Sequence, residues 1–216
     1  MKKSKILSII TVILIMIFIL SLSIALPIVF RPFYYLHISL LRIPETTGYS
    51  IPVIKEAYNC MLDYCMGLTE VFSCGSLAYS ASGAAHFADV RGLFILDFSL
   101  FFISGALLVL ILLLRKKQII APARLADHSC NYYATVILIA AAMFVVLISL
   151  GNFDRTFTVF HQIFFPGRDN WMFDPHTDPI ILILPEAFFR NCAIAIVVNL
   201  VITRIIYLIR SDRNPL

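Results

Sequence analysis

ILSIITVILIMIFILSLSIALPIVF, residues 6–30, decides the fold of this chain. It holds no charged side chain, and its polar groups are the hydroxyls of Ser8, Thr11, Ser21 and Ser23. A helix rises about 1.5 Å per residue, so about 20 mostly apolar residues cross the hydrocarbon core of a bilayer. Three further runs of this kind follow, at about 97–114, 133–150 and 189–209. None has a charge deep in its middle. Asp97, Arg190, Arg204 and Arg210 sit near the ends, where side chains reach the headgroups.

Composition agrees. The 216 residues are 60% hydrophobic and 14% charged, with mean hydropathy +0.90. Soluble domains are about 45–50% apolar and about 25% charged, so this chain has apolar surface that only lipid can cover. The expectation is an all-α integral membrane protein with four transmembrane helices and a helical extracytoplasmic cap. Residues 1–216 would form a single membrane domain. Lys2, Lys3 and Lys5 ahead of the first run, with small residues at 21–25, also resemble a secretory signal. A signal core is about 7–15 residues and this run is much longer, which favours a retained helix.

Basic residues set the orientation. Lys2, Lys3 and Lys5, then Arg115, Lys116, Lys117 and Arg124, then Arg204, Arg210 and Arg213 flank alternate sides of the runs. The positive-inside rule makes those segments and both termini cytoplasmic. Segments 31–96 and 152–188 then lie outside, and they carry most of the acids. The net charge of +4 is thus an inside–outside asymmetry and gives no sign of nucleic-acid binding.

Both outer segments are patterned. Ile54, Tyr58, Met61, Cys65, Leu68 and Phe72 fall near a helical period, with Lys55, Glu56, Asp63 and Glu70 largely off the stripe. Such a helix lies in the interface or caps the bundle. Residues 73–85 are rich in Gly, Ser and Ala, as a close backbone approach or a flexible connector would be. Asp174-Pro175 and Asp178-Pro179 mark turns or helix starts. Pro185-Glu186 fits a helix first turn, where proline removes an N–H that would be orphaned and Glu favours the positive end.

Two histidines stand in these outer segments, and titratable groups at a membrane rim raise a functional-site hypothesis. His86 has Asp89 at i+3, within reach of its ring on a helix. His161 has Asp154 about two turns earlier on a helix, and Asp174 or Asp178 can fold back to it. Two imidazoles with carboxylates at hand make a general base and a general acid. The competing reading is a histidine that caps a helix or bonds a carbonyl. His37, His128 and His176 are read that way, the first and last because they lack an apolar enclosure. A zinc site drawn from His86, His161, His176 and carboxylates would make a metal-dependent membrane hydrolase, but no His-x-x-x-His or His-Glu-x-x-His spacing occurs. No Gly-x-Ser-x-Gly elbow and no Walker loop occurs either. A non-enzymatic receptor or assembly factor is the third class. Neither metal nor cofactor is expected. The 5 cysteines, odd in number and irregular in spacing, read as packing residues, with Cys60–Cys65 or Cys65–Cys74 as minority bridges.

HFADVR (86–91) resembles the His-hydrophobe-x-Asp-Val-basic element of the bacterial lipoprotein intramolecular transacylases. So does FHQIFF (160–165), through WMFDP (171–175) and Asp178, to LPEAFF (184–189). With four spans and both motifs outside, the resemblance covers nearly the whole chain. It implies a multi-pass enzyme of the bacterial cell membrane acting on diacylated lipoproteins among membrane lipids. The acyl chain at the glyceryl sn-2 ester of the N-terminal cysteine would pass to the α-amine of that cysteine, leaving the lyso form. His86 and His161 would be the acid/base pair. Asp89 and Asp174 rank next as orienters, then Trp171, Asp178 and Glu186. Trp171, Arg91 or backbone N–H groups would serve the oxyanion.

Overall fold

The computed structural model of the chain describes residues 2–126, 128–149 and 152–213. In chain order its elements are β1 (Lys2–Ser4), α1 (Lys5–Val29), α2 (Arg31–Leu40), α3 (Ile43–Thr47), α4 (Ile51–Cys65), α5 (Ala81–Lys116), β2 (Ile120–Pro122), α6 (Cys130–Ser149), α7 (Phe153–Phe164), α8 (Ile180–Ile183) and α9 (Glu186–Arg213). Among the described residues four helices are long and apolar enough to cross a membrane: Lys5–Val29, Ala81–Lys116, Cys130–Ile148 and Glu186–Tyr207. The protein is an all-α membrane protein. Its strands are the three-residue β1 and β2, paired in parallel with Lys2 opposite Ile120.

The expected span at 97–114 is the later part of a helix that begins at Ala81 and carries the first histidine motif on its opening turns. The third span begins at Cys130. Its expected end, Leu150, lies outside the described residues, as do the side chains of Ile209, Arg210 and Arg213.

Two compact units divide the chain. One comprises the described residues of Met1–Leu26, Asp97–Leu147 and Ala195–Leu216. Its core sets Val12, Ile15 and Ile19 of α1 with Cys130, Ala134, Leu138 and Ala142 of α6 and Leu200 of α9. The α6 positions recur every fourth residue and are mostly small, which lets backbones approach closely in lipid. Hydroxyls of α1 bond backbone carbonyls, within the helix for Thr11 and Ser23 and beyond it for Ser8. Thr11 donates to Leu7 O at 2.7 Å and Ser23 to Ile19 O at 2.8 Å, while Ser8 lies 2.9 Å from Ser4 O and 2.8 Å from Ala123 O. Hydrocarbon offers no other partner, so these local bonds make the run compatible with lipid.

The second unit comprises the described residues of Pro27–Leu96 and Ile148–Ile194. Prolines 32, 44 and 52 sit in the first turns of α2, α3 and α4, where no N–H is missed. Gly48 ends α3 at φ +76°, a left-handed conformation that costs glycine little. As the periodicity predicts, α4 buries Ile54, Tyr58, Met61 and Cys65. The stripe stops there: Leu68 lies past the helix end and is exposed, while Phe72 reaches the core from the following loop. Tyr34 stacks on Tyr58 with ring centroids 3.7 Å apart and donates its hydroxyl to Ile183 O at 2.7 Å, so a ring at the centre of the core leaves no polar atom unpaired. His37 corrects an expectation. It is buried against Phe33 and Phe188, and its Nδ1 donates to Phe33 O at 2.7 Å. It therefore has an apolar enclosure, but its role remains a helix-wall bond.

Candidate active site

The turns before α5 fix where His86 stands. Ser80 Oγ accepts from Gly83 N at 2.9 Å, the N-cap pattern, and Ser80 N donates to Asp178 Oδ1 at 2.7 Å. The other Asp178 oxygen accepts from the Thr177 hydroxyl at 2.9 Å, and Asp178 is only 3% exposed. A buried carboxylate at this helix end is favoured by the helix dipole and by those donors together. Gly83 packs directly on that carboxylate; a Cβ there would run into Asp178 and would lie 3.1 Å from the Phe173 ring. A latch made by segment 152–188 thus holds the turn before His86.

On α7, Asn152 caps the first turn by accepting from Arg155 N at 3.0 Å, and His161 falls in the last turn. His161 Nδ1 lies 2.8 Å from Phe157 O. A carbonyl only accepts, so Nδ1 carries the hydrogen and the neutral ring presents its lone pair on Nε2. Trp171 stacks on the ring at 4.5 Å and 27°, and Phe157 lies against it at 4.3 Å. Burial lowers the His161 pKa, opposed by the bond to Phe157, so the imidazole rests neutral.

The two histidines converge within this one unit. Their ring centroids are 5.8 Å apart and the rings are tilted by 31°. His86 is 5% exposed and His161 6%. Phe165 touches both, at 5.1 and 5.6 Å, and Phe173 closes over His86 at 5.3 Å. Beside them opens a cleft of about 350 Å³ walled by Leu93, Phe164, Phe165 and Pro166, with Asp89 and Arg168 at its polar edge. Paired imidazoles in an aromatic wall beside an amphipathic cleft suit proton transfer on a lipid-linked substrate.

A family model described as lipoprotein intramolecular transacylase Lit matches residues 9–189. The chain belongs to this family. The solved structure of the membrane-integral lipoprotein intramolecular transacylase Lit from Bacillus cereus superposes with a TM-score of 0.84 at 25% identity, covering 96% of each chain. Two variants of that protein, with a histidine changed to arginine or to alanine, share the fold at TM-score 0.77 and 24% identity; 96% of this chain is covered, with 92% and 94% of theirs. No curated protein matches the sequence. As a Lit-family member the chain is a membrane-integral transacylase.

Several residues expected around the Lit histidines have other partners. Asp89 does not hydrogen-bond His86: its Oδ2 takes Asn170 Nδ2 at 3.2 Å and Arg168 Nε at 3.3 Å. Asp174 makes a turn, accepting from His176 N at 2.9 Å. Trp171 spends its indole N–H on Arg168 O at 3.2 Å, and its contribution to the site is the stacked ring. Arg91 pins the loop after α4, through Thr69 O at 2.6 Å, Glu70 at 3.2 Å and the Tyr64 face at 4.8 Å. The single indole N–H of Trp171 is thereby committed, whereas these bonds use only two of the five guanidinium N–H groups of Arg91. Glu186 lies exposed at the start of α9 beside Asp154. Asn170 and Arg168 are the site residues that sequence reasoning missed. Among the described residues no three His, Cys, Asp or Glu side chains gather as a metal site, and the five cysteines are free thiols.

Proposed function

We infer that this Lit-family transacylase moves the sn-2 acyl chain of a diacylglyceryl-cysteine lipoprotein to the α-amine of the same cysteine. The observation that carries the reading is the 5.8 Å approach of two buried imidazoles from α5 and α7. His161 acts through Nε2, because Nδ1 is committed to Phe157. The α-ammonium, of pKa about 7.7–8.0, first loses a proton to solvent, and the neutral amine then gives its next proton to that nitrogen as its lone pair attacks the ester carbonyl. The new N–C bond forms, the intermediate collapses, the C–O bond breaks, and the proton reaches the departing glyceryl oxygen through the pair of imidazoles, His86 beside His161. Phe157 O and the Trp171 face both stabilise the transient imidazolium. That cation in turn lies beside the developing oxyanion.

No covalent acyl-enzyme is needed, because donor and acceptor are on one molecule. Holding them folded together is worth up to about 7–11 kcal/mol of barrier. Segments 31–96 and 152–188 carry this site on the extracytoplasmic side of a single membrane domain spanning 1–216, with both termini cytoplasmic. The alternation of basic segments along the chain supports that orientation. The substrates are diacylated bacterial lipoproteins met among the lipids of the cell membrane.

The test co-expresses the protein with a reporter lipoprotein in cells lacking the usual N-acyltransferase and reads the N-terminal lipopeptide by mass spectrometry. Wild type gives N-acylated lyso product, and His86→Ala and His161→Ala give none. Unmodified diacyl reporter beside well-expressed wild type would overturn the activity.

A further inference from the structure

Two buried polar atoms in the site have no hydrogen-bond partner: His86 Nδ1 and Asn170 Oδ1. Asn170 lies against the His86 ring. The orientation of its amide is dictated from the other side. Asp89 is an acceptor whose Oδ2 is also held by Arg168, so the group facing it at 3.2 Å must be the Asn170 NH₂. The amide oxygen is then left pointing away from Asp89, and it can only accept. A ring nitrogen can donate if it bears the hydrogen. Buried donors and acceptors rarely stay unmatched, and here each orphan is what the other lacks.

We propose that Asn170, steered by Asp89 and Arg168, is the positioning residue that holds the hydrogen of His86 on Nδ1. This rests on the transacylase reading of the site. The amide does for His86 what the Phe157 carbonyl does for His161. Both neutral rings then turn lone pairs on Nε2 toward chemistry, and neither can act as an acid until the amine has given up its proton. Asp89 thereby acts on His86 through an intermediary, which reconciles its expected role as an orienter with its observed contacts. Asn170 does not touch the reacting atoms.

The experiment is nitrogen NMR of ¹⁵N-histidine-labelled full-length protein in lipid nanodiscs, with His86 assigned by its loss in His86→Gln. In wild type above pH 7 the His86 Nδ1 signal should be that of a protonated nitrogen and Nε2 that of a bare one. In Asn170→Leu, which keeps the volume and removes the acceptor, the hydrogen should redistribute toward Nε2. Turnover of a synthetic diacyl lipopeptide should fall about a hundredfold in kcat with KM little changed, the scale of a general acid–base contribution. A wild-type His86 with its hydrogen on Nε2 overturns the proposal, and so does an unchanged His86 spectrum in Asn170→Leu. If Asn170→Leu does not fold, the wild-type spectrum alone decides. The spectra need no turnover, so a failure of the transacylase reading, seen as no product from wild type, is distinguishable from a failure of this one.

Discussion

Gly83→Ala is the most informative small change in the molecule. Glycine to alanine inside a helix ordinarily stabilises it, by up to about 1 kcal/mol. At Gly83 the added methyl meets the Asp178 carboxylate that receives Ser80 N, with the Phe173 ring 3.1 Å away. Asp178 has to move, and a hydrogen bond to a charged group, worth about 1.5–3 kcal/mol, is lost or strained. At about 2–4 °C per kcal/mol for a chain of this size, the melting temperature should fall by about 3–12 °C. The turn shifts with the latch, and His86 is on the next turn of the same helix. A displacement near 1 Å costs about 10²-fold in rate. The decisive comparison is a double-mutant cycle with Asp178→Ala, read by thermal unfolding in detergent and by lipopeptide turnover. In the Asp178→Ala background the clash with the carboxylate is gone and only the tight Phe173 contact remains, so Gly83→Ala should cost clearly less than in wild type. If Gly83→Ala has the same sign and size in both backgrounds, the latch does not act as described.

Other expectations concern the same unit. Trp171→Leu removes the stacked face beside His161 and the indole bond to Arg168 O; turnover should drop about tenfold, the scale of 1–2 kcal/mol for a desolvated cation–π contact, with little change in melting temperature. Burial depresses the His161 pKa in the folded protein, so its contribution to stability is complete above the ordinary histidine value near 6.5 and is lost as pH falls below it. His161→Asn should therefore show a shallower loss of melting temperature between pH 7 and 5 than wild type. Burial pushes the thiols of Cys65 and Cys74 up to about 12. A maleimide at pH 8 should leave both unlabelled in the native protein and label both after denaturation.

The membrane architecture was legible because lipid leaves few choices. A run such as residues 6–30 can satisfy its backbone in hydrocarbon only as a helix, and composition alone says so. The stripe from Ile54 to Cys65 was legible for the same kind of reason, a period that one buried face imposes. The start of α5 was not, because residues 73–85 are small and carry no period; what starts the helix at Ala81 is Ser80 together with Asp178, nearly a hundred residues away. At the site, the histidines and their neighbours in segments 31–96 and 152–188 were visible by residue type. Their partners were not. Asp89 stands at the helical spacing that would place it on His86, yet a distant Arg168 and Asn170 take its carboxylate. Local spacing sees only neighbours on one helix, and the competing donors arrive from another segment. The same limit hid Asn170. The available signal was its place between Asp169 and Trp171, inside the motif already singled out.

Single-turnover kinetics of purified wild type, His86→Ala, His161→Ala and the double variant show whether the two imidazoles act together. A diacyl lipopeptide with a labelled sn-2 chain lets mass spectrometry follow the label onto nitrogen. If the two imidazoles act as one proton-transferring couple, each single variant loses at least about 10²-fold and the double variant is no slower than the worse single. A single variant that transfers label at the wild-type rate, or losses that simply multiply in the double variant, would contradict it.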